Sequence, residues 1–135
     1  KKRKKMNNKL TSNFSMDEFE CKCGCVMPEF VKKNVQELAE NLQVLRNVVG
    51  RLDPTNGYRC KDHNADVGGS VNSQHLKGKA ADIKSKQFSP SEIATITDDL
   101  MKSEKFKIGG VGIYNTFTHV DIRGSRARWS KTNKK

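Results

Sequence analysis

The stretch SQHLKGKAADI, residues 73–83, carries more information about this chain than any other. It places His75 seven residues before Asp82, with small residues between them. Seven residues with an internal glycine do not let both side chains face a common ion from one regular helix, because about two helical turns separate them along the axis. We therefore predict a loop that carries His75 and leads into a strand over residues 79–85, from which Asp82 points towards the same place.

A second histidine, His119, lies in another predicted strand at residues 117–123. Two imidazoles and one carboxylate are enough to hold a catalytic zinc ion and leave its fourth position open. A histidine taken by itself is more often an ordinary surface or core residue. Because His75, Asp82 and His119 form a set, we predict that they bind one Zn²⁺ ion.

Helices and strands are predicted around this motif. Apolar residues at steps of three and four predict a long helix from Pro28 to about Val49, and a second helix runs from Pro90 to about Ser103. A glycine-rich turn into a strand at 109–114 forms a hairpin with the strand at 117–123. The other predicted segments are a capped helical turn at 13–19, a turn and short strand at 53–60 and a polar loop at 63–72. These elements predict an α+β fold with a small, mostly antiparallel sheet flanked by helices.

Length and charge limit the organisation of the chain. Its 135 residues fit one domain, and its formal net charge is +11. We predict a basic flexible arm at residues 1–12, a domain at 13–129 and a basic tail at 130–135. A surface this basic attracts nucleic acid, anionic lipid or an acidic cell wall. No apolar stretch is long enough to span a bilayer, and no signal peptide is visible.

The four cysteines leave three alternatives open. Cys21, Cys23 and Cys25 alternate along one short segment, and Cys60 lies far from them in the sequence. This pattern fits a disulfide to Cys60, a small structural metal site or reduced thiols. A catalytic cysteine is not expected, because the histidines are assigned to the metal.

On these residues the chain resembles the zinc D-alanyl-D-alanine carboxypeptidases and dipeptidases, metallopeptidase family fifteen, whose fold is shared with the hedgehog signalling domain. The resemblance spans about residues 14–129. It implies that His75, Asp82 and His119 are the zinc ligands, because His75-x-x-Gly78-x-Ala80-x-Asp82 matches the first metal motif of the family and His119 matches its third ligand. The segments that resemble the carboxypeptidase branch, often found in phage and bacterial genomes, are Gly57-Tyr58-Arg59, His63-Asn64, Ser73-Gln74-His75, 110–114 and Trp129.

The resemblance implies an enzyme with one zinc ion that hydrolyses peptidoglycan stem peptides, often at a D-amino-acid bond. We expect this enzyme to be a monomer. It would act outside the cytoplasm, at the cell wall, in the periplasm or in association with a phage, and its charge would help it adhere to an anionic wall polymer. Arg59 matches an arginine that binds substrate or stabilises the developing oxyanion, although a structural salt bridge is the alternative. Ser73 and Gln74 would bind polar ends of the substrate or shape the loop.

The general base of the family is not matched. Residues 115–118, just before the last ligand, contain no group that accepts a proton at neutral pH. Asp121 lies two residues after His119, on the same face of the strand, and is the predicted catalytic base. The alternative is that Asp121 orients a histidine or pairs with Arg123. His63 lines the cleft or lies on the surface.

Two other functions compete with the peptidase. The unmatched base favours a non-catalytic, zinc-stabilised module that binds or recognises the cell wall. Nucleic-acid binding ranks last, because only composition and the basic termini support it, and few aromatic residues are interleaved with those termini.

Overall fold

A computed structural model describes residues 9–132 of the chain. The predicted arm at 1–12 and tail at 130–135 therefore fall partly outside the described residues. Within them, Leu10 donates a backbone hydrogen bond to Phe14, and the last strand continues into the predicted tail as far as Lys131. The helices are α1 (Glu29–Val49), α2 (Lys61–Asp66) and α3 (Pro90–Lys102), the 3₁₀ turns are Met16–Phe19 and Gln74–Lys77, and the strands are β1 (Asp53–Asn56), β2 (Ala80–Lys84), β3 (Gly110–Tyr114), β4 (Thr118–Asp121) and β5 (Ala127–Lys131).

The two long helices confirm the sequence prediction. Helix α1 follows Pro28 and ends at Gly50, whose left-handed backbone (φ 85°) lets its N–H bond the Arg46 carbonyl at 2.9 Å. Helix α3 begins with a capping box: Ser89 Oγ accepts the Glu92 N–H, and Glu92 Oε1 accepts the Ser89 N–H. The inward stripe of α1 is fully or almost fully buried and consists of Val31, Val35, Leu38, Ala39, Leu42, Leu45 and Val49.

The sheet confirms the predicted α+β fold. Its five strands lie in the order β1-β2-β4-β3-β5, and every neighbouring pair is antiparallel except β3 with β5. The predicted hairpin joins β3 to β4, with the Tyr114 N–H bonded to the Phe117 carbonyl at 3.0 Å. Helix α3 packs on β3 and β4.

Two elements differ from the prediction. Helix α2 overlaps the stretch at 63–72 that was predicted as a polar loop and begins two residues before it. It was not predicted because its sequence KDHNAD has no apolar stripe and only a side-chain cap from Cys60 marks its start. Strand β5 was not predicted, because its sequence ARWSK does not alternate between apolar and polar residues. It pairs in parallel with β3 at the edge of the sheet.

The two faces of the sheet have different chemistry. Towards the helices, Ala81, Ile83 and Val120 are buried among apolar residues. The opposite face carries Asp82 and His119, which alternate with those residues along β2 and β4. The polar site therefore lies on one face of a sheet whose other face packs in the hydrophobic core. Across residues 9–132, no helix combines the length and apolarity that a membrane crossing requires.

Candidate metal centre

The pairing register of the sheet brings the predicted residues together. Asp82 on β2 lies directly opposite His119 on β4, and His119 lies opposite Gly112 on β3. Asn56 and Trp129 extend the same row at its two ends, on β1 and β5. One line of residues across five strands thus forms the floor of the site, and its positions are fixed by backbone pairing.

His75 reaches this row from the second 3₁₀ turn. The turn ends at Gly78, whose left-handed φ of 74° is a conformation that glycine adopts without strain. Helix α1 supports the turn from below, because Asn34 Nδ2 donates to the Lys77 carbonyl at 2.8 Å. His75 is consequently held beside two ligands that come from the sheet.

The three side chains converge on a common point. His75 Nε2 and His119 Nδ1 each lie 3.4 Å from Asp82 Oδ1. Ligand atoms about 2.1 Å from a tetrahedral ion are separated by about 3.4 Å, so the spacing fits one divalent ion. All three residues are buried, at 2–6% exposure, which leaves little room for bulk water to solvate these atoms. The donor set of two nitrogens and one oxygen suits zinc.

Each candidate ligand is oriented by a second hydrogen bond. His75 Nδ1–H donates to the Gly57 carbonyl at 2.7 Å, which leaves Nε2 free to face the site. Asn56 Nδ2 donates to Asp82 Oδ2 at 3.2 Å, so Oδ1 faces the two histidines. Such partners fix the tautomer and direction of a metal ligand. Neither Asn56 nor the Gly57 carbonyl was identified from the sequence.

Asp121 orients the third ligand. Its Oδ2 accepts the His119 Nε2–H at 2.7 Å, which leaves His119 Nδ1 available to an ion. The same carboxylate accepts two side-chain bonds from Arg123 and the backbone N–H of Gly110, and it has no exposed surface. A carboxylate engaged in this way has no free face towards a substrate. The geometry therefore favours the orienting role for Asp121 over the predicted role of general base.

The charges in the site keep both carboxylates ionised. Burial alone would raise the pKa of Asp82, but hydrogen bonds with His119 and His75 outweigh it and hold the pKa well below the ordinary value. The pKa of Asp121 is lowered in the same way: burial opposes the shift, and the bonds from Arg123 and His119 dominate. Burial would lower the pKa of His119, and the two neighbouring carboxylates raise it. The ionised Asp82 carboxylate thus faces the two histidines at the point where a cation fits.

An open cleft of about 600 Å³ lies over the three ligands, and Arg59 lines it. Its guanidinium has one weak side-chain contact, to Ser73 Oγ at 3.5 Å, and its buried Nε has no hydrogen-bond partner among the described residues. Partial burial lowers the pKa of Arg59, as expected for a cation drawn out of water. Arg59 is therefore placed to receive an anionic group in the cleft.

Ser73 and Gln74 also line the cleft, as predicted for residues that contact a substrate. Ser73 Oγ accepts the His75 N–H at 3.1 Å, so this hydroxyl also caps the turn that carries His75. His63 lies on α2 and is not among the lining residues of the cleft. Its backbone N–H donates to Cys60 Sγ.

An aromatic wall completes the cleft on the side of β5. The Trp129 indole lies 4.9 Å from the His119 ring, between centroids, and its Nε1–H donates to the Tyr114 hydroxyl at 3.0 Å. Gly112 makes this packing possible, because a Cβ there would lie 2.4 Å from the indole. Gly112, in the middle of β3, is the feature of the sequence that could have indicated this wall, since a glycine inside a strand often marks a place where another group packs closely against the backbone.

Comparison with known proteins gives one positive result. The model of a family described as Peptidase M15 matches residues 12–121, about four fifths of the chain. The match covers all three candidate ligands, Arg59 and Asp121. No curated protein matches the sequence.

Proposed function

Because the chain belongs to the peptidase M15 family of metallopeptidases, we propose that it is a zinc-dependent peptidase that hydrolyses peptidoglycan stem peptides at a D-amino-acid bond. The observation that carries the proposal is the convergence of His75, Asp82 and His119 at the floor of an open cleft. When bound there, a divalent ion supplies Lewis acidity: it polarises a carbonyl and makes water a nucleophile near neutral pH.

The residues of the chain have separate roles in this proposal. His75, Asp82 and His119 hold the ion, and Asn56 and Asp121 keep two of these ligands in position. Arg59 binds the terminal carboxylate of a stem peptide or the oxyanion that develops at the scissile carbonyl, because its planar fork of donors faces the cleft. Ser73 and Gln74 contact polar groups of the peptide at the rim.

The charge of the cleft favours a stem peptide as the substrate. An arginine beside a metal centre suits a substrate with a free carboxylate near the bond that is cut, as in a peptide that ends in two D-alanines. We further propose that the enzyme acts as a monomer outside the cytoplasm, at the cell wall or with a phage, where the net charge of +11 favours adhesion to anionic wall polymers. The carboxypeptidase branch and an endolysin-like endopeptidase are the two forms of this activity.

One observation favours the alternative function, a non-catalytic zinc-stabilised module that recognises cell-wall peptides. Among the lining residues of the cleft, Asp82 is the sole carboxylate, and it faces the ligand site. A hydrolase needs a proton acceptor near the water that attacks, and Asp121 is turned away from that position.

Purified muropeptides test the two functions. Metal-replete protein is incubated with stem peptides that end in D-alanyl-D-alanine and with cross-linked peptides, and the products are identified by mass spectrometry. We expect release of D-alanine or of dipeptides, its loss on chelation and its return with zinc. Protein that contains zinc and binds the peptides but cuts none of them would exclude the peptidase and support the recognition module.

A further inference from the structure

We propose that Cys21, Cys23, Cys25 and Cys60 form a second metal site, in which four thiolates hold a structural zinc ion. Their sulfur atoms all lie within 4.8 Å of one another. Cys21 Sγ lies 3.3 Å from Cys23 Sγ and 3.9 Å from Cys60 Sγ, and Cys23 Sγ lies 3.5 Å from Cys60 Sγ. Four sulfurs about 2.3 Å from a tetrahedral zinc ion are separated by about 3.8 Å, so these spacings match one ion.

The backbone brings the four sulfurs together from distant positions. In an extended strand the Cα atoms of Cys21 and Cys25 would be about 13 Å apart, which is too far for the three cysteines to share an ion. The segment instead turns: the Gly24 N–H bonds the Cys21 carbonyl at 3.0 Å, and Gly24 has the left-handed φ of 87°. Cys60 closes the group from the start of α2.

The surroundings of the cysteine cluster suit thiolates. The Cys60 N–H points at Cys21 Sγ and the His63 N–H points at Cys60 Sγ, each at 3.4 Å, so backbone donors stabilise negative charge on two sulfurs. Cys23 is exposed, so apolar packing does not explain why it joins the other three.

This arrangement explains all four residues at once. A single disulfide would join two cysteines and leave two without a role. Reduced thiols without a metal give no reason for four sulfurs to meet at one point. A four-thiolate site is closed, with no position for water or substrate, so its role is structural.

The cysteine cluster would stabilise the side of the domain that carries the cleft. It joins the segment after Phe19 to the segment before α2, and the Tyr58 N–H bonds the Phe19 carbonyl at 2.8 Å beside it. The next backbone bond along the chain runs from the Arg59 N–H to the His75 carbonyl at 3.0 Å. A metal ion at the cysteines would therefore hold residues 58–59 in place. This segment carries Arg59 and supports His75 through its backbone hydrogen bond. This structural role is independent of the substrate.

Cobalt substitution of the full chain tests the proposal. Thiolate ligands give bound Co²⁺ an intense near-ultraviolet charge-transfer absorption that a site of two histidines and an aspartate lacks. We expect this absorption in the wild-type protein prepared under reducing conditions, together with a second equivalent of zinc in the zinc form. Cys60→Ser should lose the absorption and that one equivalent, whereas His119→Ala should keep the absorption and lose the other equivalent.

Val26→Ser is the matched control, because it alters an 87% exposed side chain next to Cys25 and keeps all four sulfurs. It should retain the absorption. Thiol counting on the wild-type protein covers the case in which Cys60→Ser does not fold: zinc should protect the cysteines from alkylation until a chelator is added. A wild-type protein without the charge-transfer absorption, or with thiols that react equally with and without zinc, would overturn the proposal, whatever its activity on muropeptides.

Discussion

The His75–Asp82–His119 cluster and the cysteine cluster each bring potential ligands within reach of one metal ion, but they take those ligands from different parts of the fold. The first takes two of its three ligands from paired strands, is buried and opens onto a cleft. The second takes its ligands from a turn and a helix cap, is partly exposed and does not line the cleft. Three ligands, two of them on a rigid sheet, leave a position for chemistry, whereas four ligands on irregular segments fasten those segments together. The contrast predicts that damage to the first cluster removes activity and that damage to the second removes stability.

The largest effect should come from His119→Ala. Removal of this ligand leaves two protein ligands for the ion, and we expect peptidase activity to fall to background together with the zinc at this site. Muropeptide digestion and metal analysis measure both effects. Near-normal turnover in a folded His119→Ala protein would break the comparison, because the sheet site would then not be catalytic.

Cys60→Ser should act on stability. If the folded state binds zinc at 100 times its dissociation constant, loss of the site costs about 2.7 kcal/mol in the free energy of unfolding. Urea unfolding with and without a chelator measures this difference, and the chelator should have a smaller effect on the variant than on the wild type. Equal sensitivity of the two proteins to chelation would show that the cysteines contribute no metal-linked stability.

Asp121→Asn sharpens the comparison within the first cluster. The amide keeps the shape of the side chain but weakens the orientation of His119 and leaves Arg123 without its counter-charge. We expect about 10- to 100-fold lower metal affinity or activity, as is typical for residues that orient metal ligands.

A role of Asp121 as general base makes a different prediction. In that case metal affinity would stay normal, and the loss would fall on kcat alone and change the pH profile. Asp98→Asn is the matched control, because it makes the same chemical change at a surface carboxylate that contacts Arg126, Arg128 and Lys102.

Asp98→Asn itself should have the smallest effect, and only on stability. Hydrogen bonds from Arg128 are the main reason that the pKa of Asp98 lies well below its ordinary value of 3.8. Because the folded-state pKa is lowered, the stabilisation is present above the unfolded-state pKa and is lost as the pH falls below about 3.8. We expect the substitution to lower the free energy of unfolding by about 1 kcal/mol at pH 7, and by less in acid, as measured from unfolding curves. An effect that grows on acidification would contradict this assignment.

The parts of the fold that could be predicted are those with a periodic signal. The buried stripe of α1 and the capping box of α3 follow from residue types at fixed spacing. Strand β5 and helix α2 lack such a stripe: the strand forms against a tertiary partner, β3, and the helix has only the local cap from Cys60. Their sequences contain little from which an element could be recognised.

The residues of the site also differ in whether the sequence alone could predict them. His75, Asp82 and His119 stand out because their residue types serve metal ions and because the motif is compact. Asn56 does not, because an asparagine before a turn is common, and the Gly57 carbonyl belongs to the backbone and leaves no side-chain signature at all. The position of the Asp121 carboxylate depends on Arg123 and on space beside Gly110, which only packing reveals.

The row Asn56–Asp82–His119–Gly112–Trp129 limits how this domain can change over evolutionary time. Side chains alternate between the faces of a strand, so inserting or deleting one residue within β2 or β4 would turn the carboxylate or the imidazole into the apolar layer beneath. Length changes should therefore accumulate in connections such as residues 67–73, which form part of the cleft rim. Substrate preference can diversify there while the ion-binding row keeps its alignment.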